Sequence, residues 1–171
     1  AYALMNHPHY IINCAGLTDV QKCEEDVENA FKVNALGARN LSTAARKIKA
    51  RLVHLSTDDV FDGNNSTPYN EFDNTNPQKM YGKSKLAGEN FVKELASKHI
   101  IIRSSWIFGK GDDYLSHILK MAKNGEKIHA AIDQVASPTS AKELAKMIVN
   151  LMLYGEDGLY HITCQGSCSR Y

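Results

Sequence analysis

Tyr81 and Lys85 stand four residues apart in the stretch Tyr81-Gly82-Lys83-Ser84-Lys85. On a helix, that spacing puts both side chains on one face, within reach of one substrate, while Lys83 faces elsewhere. A phenol is a weak acid, with a reference pKa of about 10. A fixed ammonium beside it favours the phenolate and is expected to lower that value. The phenol could then exchange a proton with a carbonyl or alcohol oxygen. Upstream, Leu55-Ser56-Thr57-Asp58 offers two hydroxyls at the end of an apolar run, and Ser56 or Thr57 could hold the same oxygen. Y-x-x-x-K also arises on solvated surface helices, so the assignment rests on the elements that carry these residues.

Residues 10–16 read as a fully buried strand that ends in the small residues Cys14, Ala15 and Gly16, and small side chains at a strand's carboxyl end admit a ligand. Residues 24–50 read as containing one long helix. Asn34 falls inside it, where a buried amide would bond a neighbouring loop or strand. Residues 52–57 form a second buried strand, with His54 a satisfied core histidine. A polar loop follows and runs to Pro77, a length that in a compact domain usually serves function. The helix over 80–98 is expected to bury Leu86, Ala87, Phe91 and Leu95. A third strand spans 99–106 and ends at Trp106, the only tryptophan, either a core anchor or a flat wall for a ring-shaped ligand. An amphipathic helix over 113–124, closed by Gly125, precedes a short strand over 127–130. A helix over 141–153, capped by Thr139 or Ser140, and a strand over 158–163 complete the chain.

Strand and helix alternate, which predicts an α/β fold, a Rossmann-like doubly wound parallel sheet. Its first three strands end in N-C-A-G, S-T-D and S-S-W, so the three candidate sites meet at one sheet edge. The 171 residues imply one domain, and the net charge of +1 gives no bulk attraction for nucleic acid or an anionic membrane. No apolar run reaches the roughly 18 residues of a membrane helix. Cys14, Cys23, Cys164 and Cys168 are expected to be free thiols in a reducing cytoplasm. His161, Cys164 and Cys168 lack a nearby fourth ligand, so no metal site is expected.

Taken together, Asn13-Cys14-Ala15-Gly16, Val33-Asn34-Ala35-Leu36-Gly37, Ser56-Thr57-Asp58-x-Val60-Phe61-Asp62-Gly63, Tyr81-Gly82-Lys83-Ser84-Lys85-Leu86-Ala87-Gly88-Glu89, Arg103-Ser104-Ser105-Trp106 and Asp133-Gln134-x-x-Ser137-Pro138-Thr139 form a set that resembles the dTDP-4-dehydrorhamnose reductase family. These are extended short-chain dehydrogenases/reductases. The resemblance implies reduction, by NADPH or NADH, of the 4-keto group of a dTDP-4-dehydro-6-deoxy sugar, in the cytoplasm, for dTDP-L-rhamnose and polysaccharide synthesis. It implies Tyr81 as the acid, Lys85 as the residue that tunes it and holds the nicotinamide ribose, and Thr57 as the hydroxyl on the reacting oxygen. Cys14, Ala15, Gly16 and Asn34 would serve the cofactor together with Tyr81 and Lys85. Thr18, Val20, Thr57, Asp58 and Trp106 would lie near the sugar nucleotide.

Departures from the family pattern fall on the substrate side. Asp59 replaces a tyrosine, Asp112-Asp113-Tyr114 replaces an amide-bearing stretch, and Arg170 replaces a tryptophan. Asp59 and Asp113 are expected to weaken binding of the standard sugar nucleotide. No Gly-rich pyrophosphate turn is present, so the chain is expected to be the central part of a longer protein, from the fourth strand of the family order. Residues 1–125 would continue the dinucleotide-binding domain, and 126–171 would begin the substrate-binding region. Ile11 and Ile12 would then lie on an exposed apolar edge, which makes aggregation or a homodimer an expectation. Two other functions fit the motifs less well. One is a non-catalytic NADP-binding regulator like the β subunit of methionine adenosyltransferase, and the other is a sugar-nucleotide epimerase or dehydratase.

Overall fold

The apolar runs become parallel strands in the computed structural model, which describes residues 2–111 and 113–171. From the amino end the chain forms α1 (Tyr2–Asn6), β1 (Tyr10–Asn13), α2 (Val20–Glu25), α3 (Val27–Phe31), a π-helical turn (Lys32–Leu36), α4 (Gly37–Ile48), β2 (Arg51–Thr57) and a 3-10 turn (Asp58–Val60). It continues through α5 (Met80–Leu95), β3 (His99–Ser104), β4 (Ile107–Phe108), α6 (Tyr114–Lys123), β5 (Val135–Ala136), β6 (Thr139–Ser140), α7 (Ala141–Tyr154), β7 (Gly158–His161) and β8 (Cys168–Ser169). The main sheet has the order β1-β2-β3-β7 with every pair parallel, and Thr57 stands opposite Ser104.

Helices cover both faces. Ala38, Ala45, Leu52, Val92 and Ile101 pack where α4 and α5 meet the sheet. Val53, Ile100, Ile102, Leu144 and Ile148 pack under α7 on the other side. β2 and β3 are therefore buried on both faces, which is why they read as continuous apolar runs without alternation. This is the expected doubly wound sheet. β1 and β7 are its edges; on β1 Tyr10 and Ile12 are exposed and Ile11 half-buried, so the strand is not fully buried and Ile12 lies on an exposed apolar edge. Among the described residues, no helix is long and apolar enough to cross a membrane. All four cysteines are free.

Three further expectations change. The single helix over 24–50 is broken: Asp26 ends α2 and caps α3 by accepting from Asn29 N at 3.0 Å, and a π-helical turn separates α3 from α4. An aspartate that bonds the backbone locally competes with helix continuation. Residues 127–130 form no strand. Ser140 precedes α7 in extended conformation but makes no side-chain cap, and Thr139 Oγ1 donates to Ser137 O instead.

The face that α5 buries is the most informative difference. Leu86, Ala87, Phe91 and Leu95 are only half-buried. The buried stripe is Tyr81, Ser84, Lys85, Gly88, Glu89 and Val92, together with Gly82, while Lys83 is exposed. Small residues let this helix approach its neighbours closely. A Cβ on Gly88 would stand 2.5 Å from Asn34 O, and one on Gly82 would stand 2.0 Å from Asp59 O. Gly88→Ala is therefore expected to cost about 1–3 kcal/mol by overpacking, measurable as a fall in the urea midpoint. An unchanged midpoint would show that the π-helical turn yields freely.

Candidate functional site

Parallel strands end at the same edge, and the chemistry-bearing residues gather there. Thr57 closes β2, and α5 starts with Tyr81 and Lys85 on its sheet-facing side; all three side chains are buried. Lys85 Nζ donates to Leu55 O at 2.6 Å, which anchors the ammonium to β2. Burial pulls Lys85 down to about 8. The Tyr81 ring packs with Cys23, Ala30 and Val20.

Burial pushes Tyr81 up to about 12, with Asp59, Asp58 and Cys23 adding to the rise and Thr57 opposing it. The expected net lowering is not met, because burial dominates, while the Lys85 ammonium donates to Leu55 O. At neutral pH the phenol is fully protonated, the form that donates to a developing alkoxide.

Asn34 joins the site's parts. Its Oδ1 accepts from Leu17 N at 2.8 Å, and its Nδ2 donates to Leu17 O at 3.0 Å and to Ser84 Oγ at 2.9 Å. Ser84 Oγ in turn donates to Tyr81 O. The buried amide bonds a neighbouring loop, as its position inside a helix required, and the π-helical turn presents it.

Cys14, Ala15 and Gly16 form an exposed strip beside the ammonium; a Cβ on Gly16 would stand 3.8 Å from Lys85 Nζ and 3.2 Å from Asn34 Oδ1. Asn13 Oδ1 accepts from Ala15 N, which points the Asn13 amide nitrogen at His54 Nδ1, 2.9 Å away. Burial, and then Lys85, lower His54 to about 3, so the ring is neutral and accepts at Nδ1. His54 is only half satisfied: its Nε2 finds no partner among the described residues.

On the substrate side, Asp58 is half-buried and Asp59 exposed, both against Thr57. Thr18 is exposed on the loop before α2. Trp106 leaves β3 with φ 40, a left-handed conformation uncommon for a non-glycine residue. The guanidinium of Arg170 lies 4.4 Å from the ring centroids of both Trp106 and Tyr114, and Arg170 Nε donates to Gln134 Oε1. The indole therefore offers no bare wall on that side. Asp113 accepts from Ser116 N and Gly109 N at the start of α6, and these amides hold its carboxyl below the usual range. Its charge caps the helix; Asp112 lies outside the described residues.

One group escaped sequence reasoning. Glu89, fully buried, takes a two-pronged bond from Arg103 at 2.9 and 2.8 Å and a third from Ser56 Oγ at 2.5 Å. Arg103 also lies over Phe61, which stacks on Tyr69 in the long loop. Extending the Tyr81–Lys85 stripe by one more helical step reaches Glu89, so the signal was present in the spacing.

The family described as the RmlD substrate binding domain matches residues 2–171. The spore coat polysaccharide biosynthesis protein SpsK of Bacillus subtilis (strain 168) is 36% identical over 165 residues, covering 96% of this chain and 58% of that protein. A dTDP-4-dehydrorhamnose reductase structure from Clostridium acetobutylicum is 42% identical with a TM-score of 0.95, covering 98% of this chain and 60% of that one. The Bacillus anthracis reductase, solved in complex with NADP, is 41% identical with a TM-score of 0.95, over 98% of this chain and 60% of that one. The chain thus spans less than two thirds of the relatives it matches.

Proposed function

Because the chain belongs to the dTDP-4-dehydrorhamnose reductase family, we propose that the full-length protein reduces the 4-keto group of a dTDP-4-dehydro-6-deoxy sugar with NADPH or NADH. The observation that carries this reading is the meeting of a strand-end hydroxyl, a protonated phenol and an anchored ammonium at one sheet edge. Thr57 holds the substrate oxygen, and Tyr81 gives it a proton. Lys85 faces the Cys14-Ala15-Gly16 strip and holds the ribose of the cofactor there. That strip fits a cofactor, since its small residues leave space that a Cβ on Gly16 would narrow, and Asn34 keeps its loop in place. A bound reduced nicotinamide supplies the hydride for the carbonyl carbon.

Asp58, Trp106, Thr18 and Val20 would border the sugar nucleotide, with residues 126–171 contributing Gln134 and Arg170 to that side. The four free thiols support a cytoplasmic location. The test is NADPH oxidation by the full-length protein with a dTDP-4-keto-6-deoxy sugar, followed by absorbance. Turnover that requires the sugar is expected. NADP binding with no turnover would overturn the reading in favour of a regulatory subunit.

A further inference from the structure

Arg170 is held from several sides on the substrate side of the sheet edge. Its guanidinium lies over the rings of Trp106 and Tyr114, 4.4 Å from each centroid, and its Nε donates to Gln134 Oε1 at 2.9 Å. Contacts of this kind use the face of the guanidinium plane and leave its N–H edge for hydrogen bonds. Among the described residues, the two terminal nitrogens on that edge have no hydrogen-bond partner.

The segments beneath the guanidinium are themselves fixed. β8 pairs antiparallel with β5, Cys168 opposite Ala136 and Ser169 opposite Val135, which carries Arg170 to Gln134. Trp106 stands two residues past Ser104, the β3 residue opposite Thr57, and so borders the edge that carries the reacting groups. Its left-handed φ of 40 is a conformation that persists only where the surroundings hold it. Thr139 N donates to Trp106 O at 3.2 Å and Ser105 Oγ to Ser137 O at 2.7 Å, which supplies that hold. Tyr114 opens α6, whose start Asp113 caps.

We propose that Arg170 is a specificity-determining residue that binds the diphosphate of the sugar nucleotide through its Nη1–Nη2 edge, held in place by Trp106, Tyr114 and Gln134. The inference rests on the reductase reading. A planar fork presented edge-on is the geometry that takes two oxygens of one phosphate. Its orientation is set before the ligand arrives, so binding loses little side-chain freedom. The charge is needed there, because Asp58 and Asp59 on the turn after β2 would otherwise repel a diphosphate. Burial raises both carboxyls, and the charge of Arg170 is among the groups that oppose the rise, so its field reaches that turn. Among the described residues no ion pair joins Arg170 to either carboxylate, and its edge stays free for a ligand. On this assignment Trp106 is a platform for a cation, not a bare wall against a substrate ring.

The test titrates the full-length protein with dTDP and with thymidine, which lacks the diphosphate, by calorimetry and ligand-observed NMR. Arg170→Gln is expected to weaken dTDP roughly 10- to 100-fold, the worth of hydrogen bonds to a charged group, and to leave thymidine within about threefold of the parent. Added salt should weaken dTDP binding more in the parent than in the variant. In turnover, KM for a dTDP-4-keto-6-deoxy sugar should rise with kcat little changed, the mark of lost ground-state binding. Arg170→Lys should restore only part of the affinity, because an ammonium cannot form the fork. Gln134→Leu, which keeps the guanidinium but frees its Nε, is expected to weaken dTDP about 3- to 10-fold. NADPH affinity should hold in all three variants and controls for folding. If Arg170→Gln loses NADPH as well, Gln134→Leu decides alone, and parent affinity for dTDP there would overturn the proposal. So would parent affinity in Arg170→Gln, full rescue by Arg170→Lys, or equal losses for dTDP and thymidine, which would mean that Arg170 only props Trp106. A parent that does not bind dTDP would sink the reductase reading and this inference together. A parent that reduces the sugar, beside an Arg170→Gln that binds dTDP equally well, would sink the inference alone.

Discussion

Tyr81→Phe is expected to lower kcat by roughly 10²–10⁴, the usual worth of a positioned acid. The substitution removes one oxygen from a ring that packs against Cys23 and Ala30, so the fold and NADPH affinity should persist. The loss should appear in the first turnover as well as in the steady state, because the proton needed for reduction is itself missing. Lys83→Ala is the control. It sits on the same helix two residues away but is exposed, and it should leave kcat unchanged. Turnover of Tyr81→Phe within a few-fold of the parent, measured by NADPH oxidation, would remove the phenol from the mechanism.

Glu89→Gln is expected to destabilise the protein by about 3–5 kcal/mol, the cost of leaving a buried guanidinium without its partner charge. Arg103 is 4% exposed and Glu89 fully buried, so water cannot compensate the loss. Lys93 provides the contrast: it reaches the same carboxylate at 3.7 Å, but its side chain is 45% exposed. Lys93→Ala should cost no more than about 1 kcal/mol. Glu89→Leu combined with Arg103→Met should cost less than Glu89→Gln alone, since no buried charge remains unpaired. Urea unfolding with matched m-values decides among these outcomes. A loss under 1 kcal/mol in Glu89→Gln would mean that the carboxylate is not what holds Arg103.

The pair also bears on the site. Glu89 lies one helical step beyond Lys85, and Arg103 is on β3, so the ion pair ties the helix that carries Tyr81 to the centre of the sheet. Through Arg103 over Phe61, and Phe61 against Tyr69, the tie extends to the long loop after β2. Glu71 in that loop accepts from His161 N on β7 at 2.7 Å. The loop is thus fastened to the sheet by its own side chains, which explains how a stretch with few apolar residues keeps a defined path.

The sequence by itself determined the alternation of strand and helix, the shared edge at which the strands end, and the four-residue spacing of Tyr81 and Lys85. These are local properties: apolar runs of strand length, small residues at their ends, and a helical period. Asn34 was legible too, because an amide inside a helix must find its bonds elsewhere. The tertiary structure decided which face of α5 is inside. Counting apolar residues selected Leu86, Ala87, Phe91 and Leu95, yet the buried face carries Tyr81, Lys85 and Glu89. Burial of those groups depends on partners far away in sequence, Leu55 for Lys85 and Ser56 with Arg103 for Glu89, which no local pattern displays. The same holds for proton affinity. Spacing alone placed an ammonium beside a phenol, but a carbonyl on β2 took the ammonium, and burial raised the phenol. Long-range packing sets which charges meet, and that is information the linear order of residues does not carry.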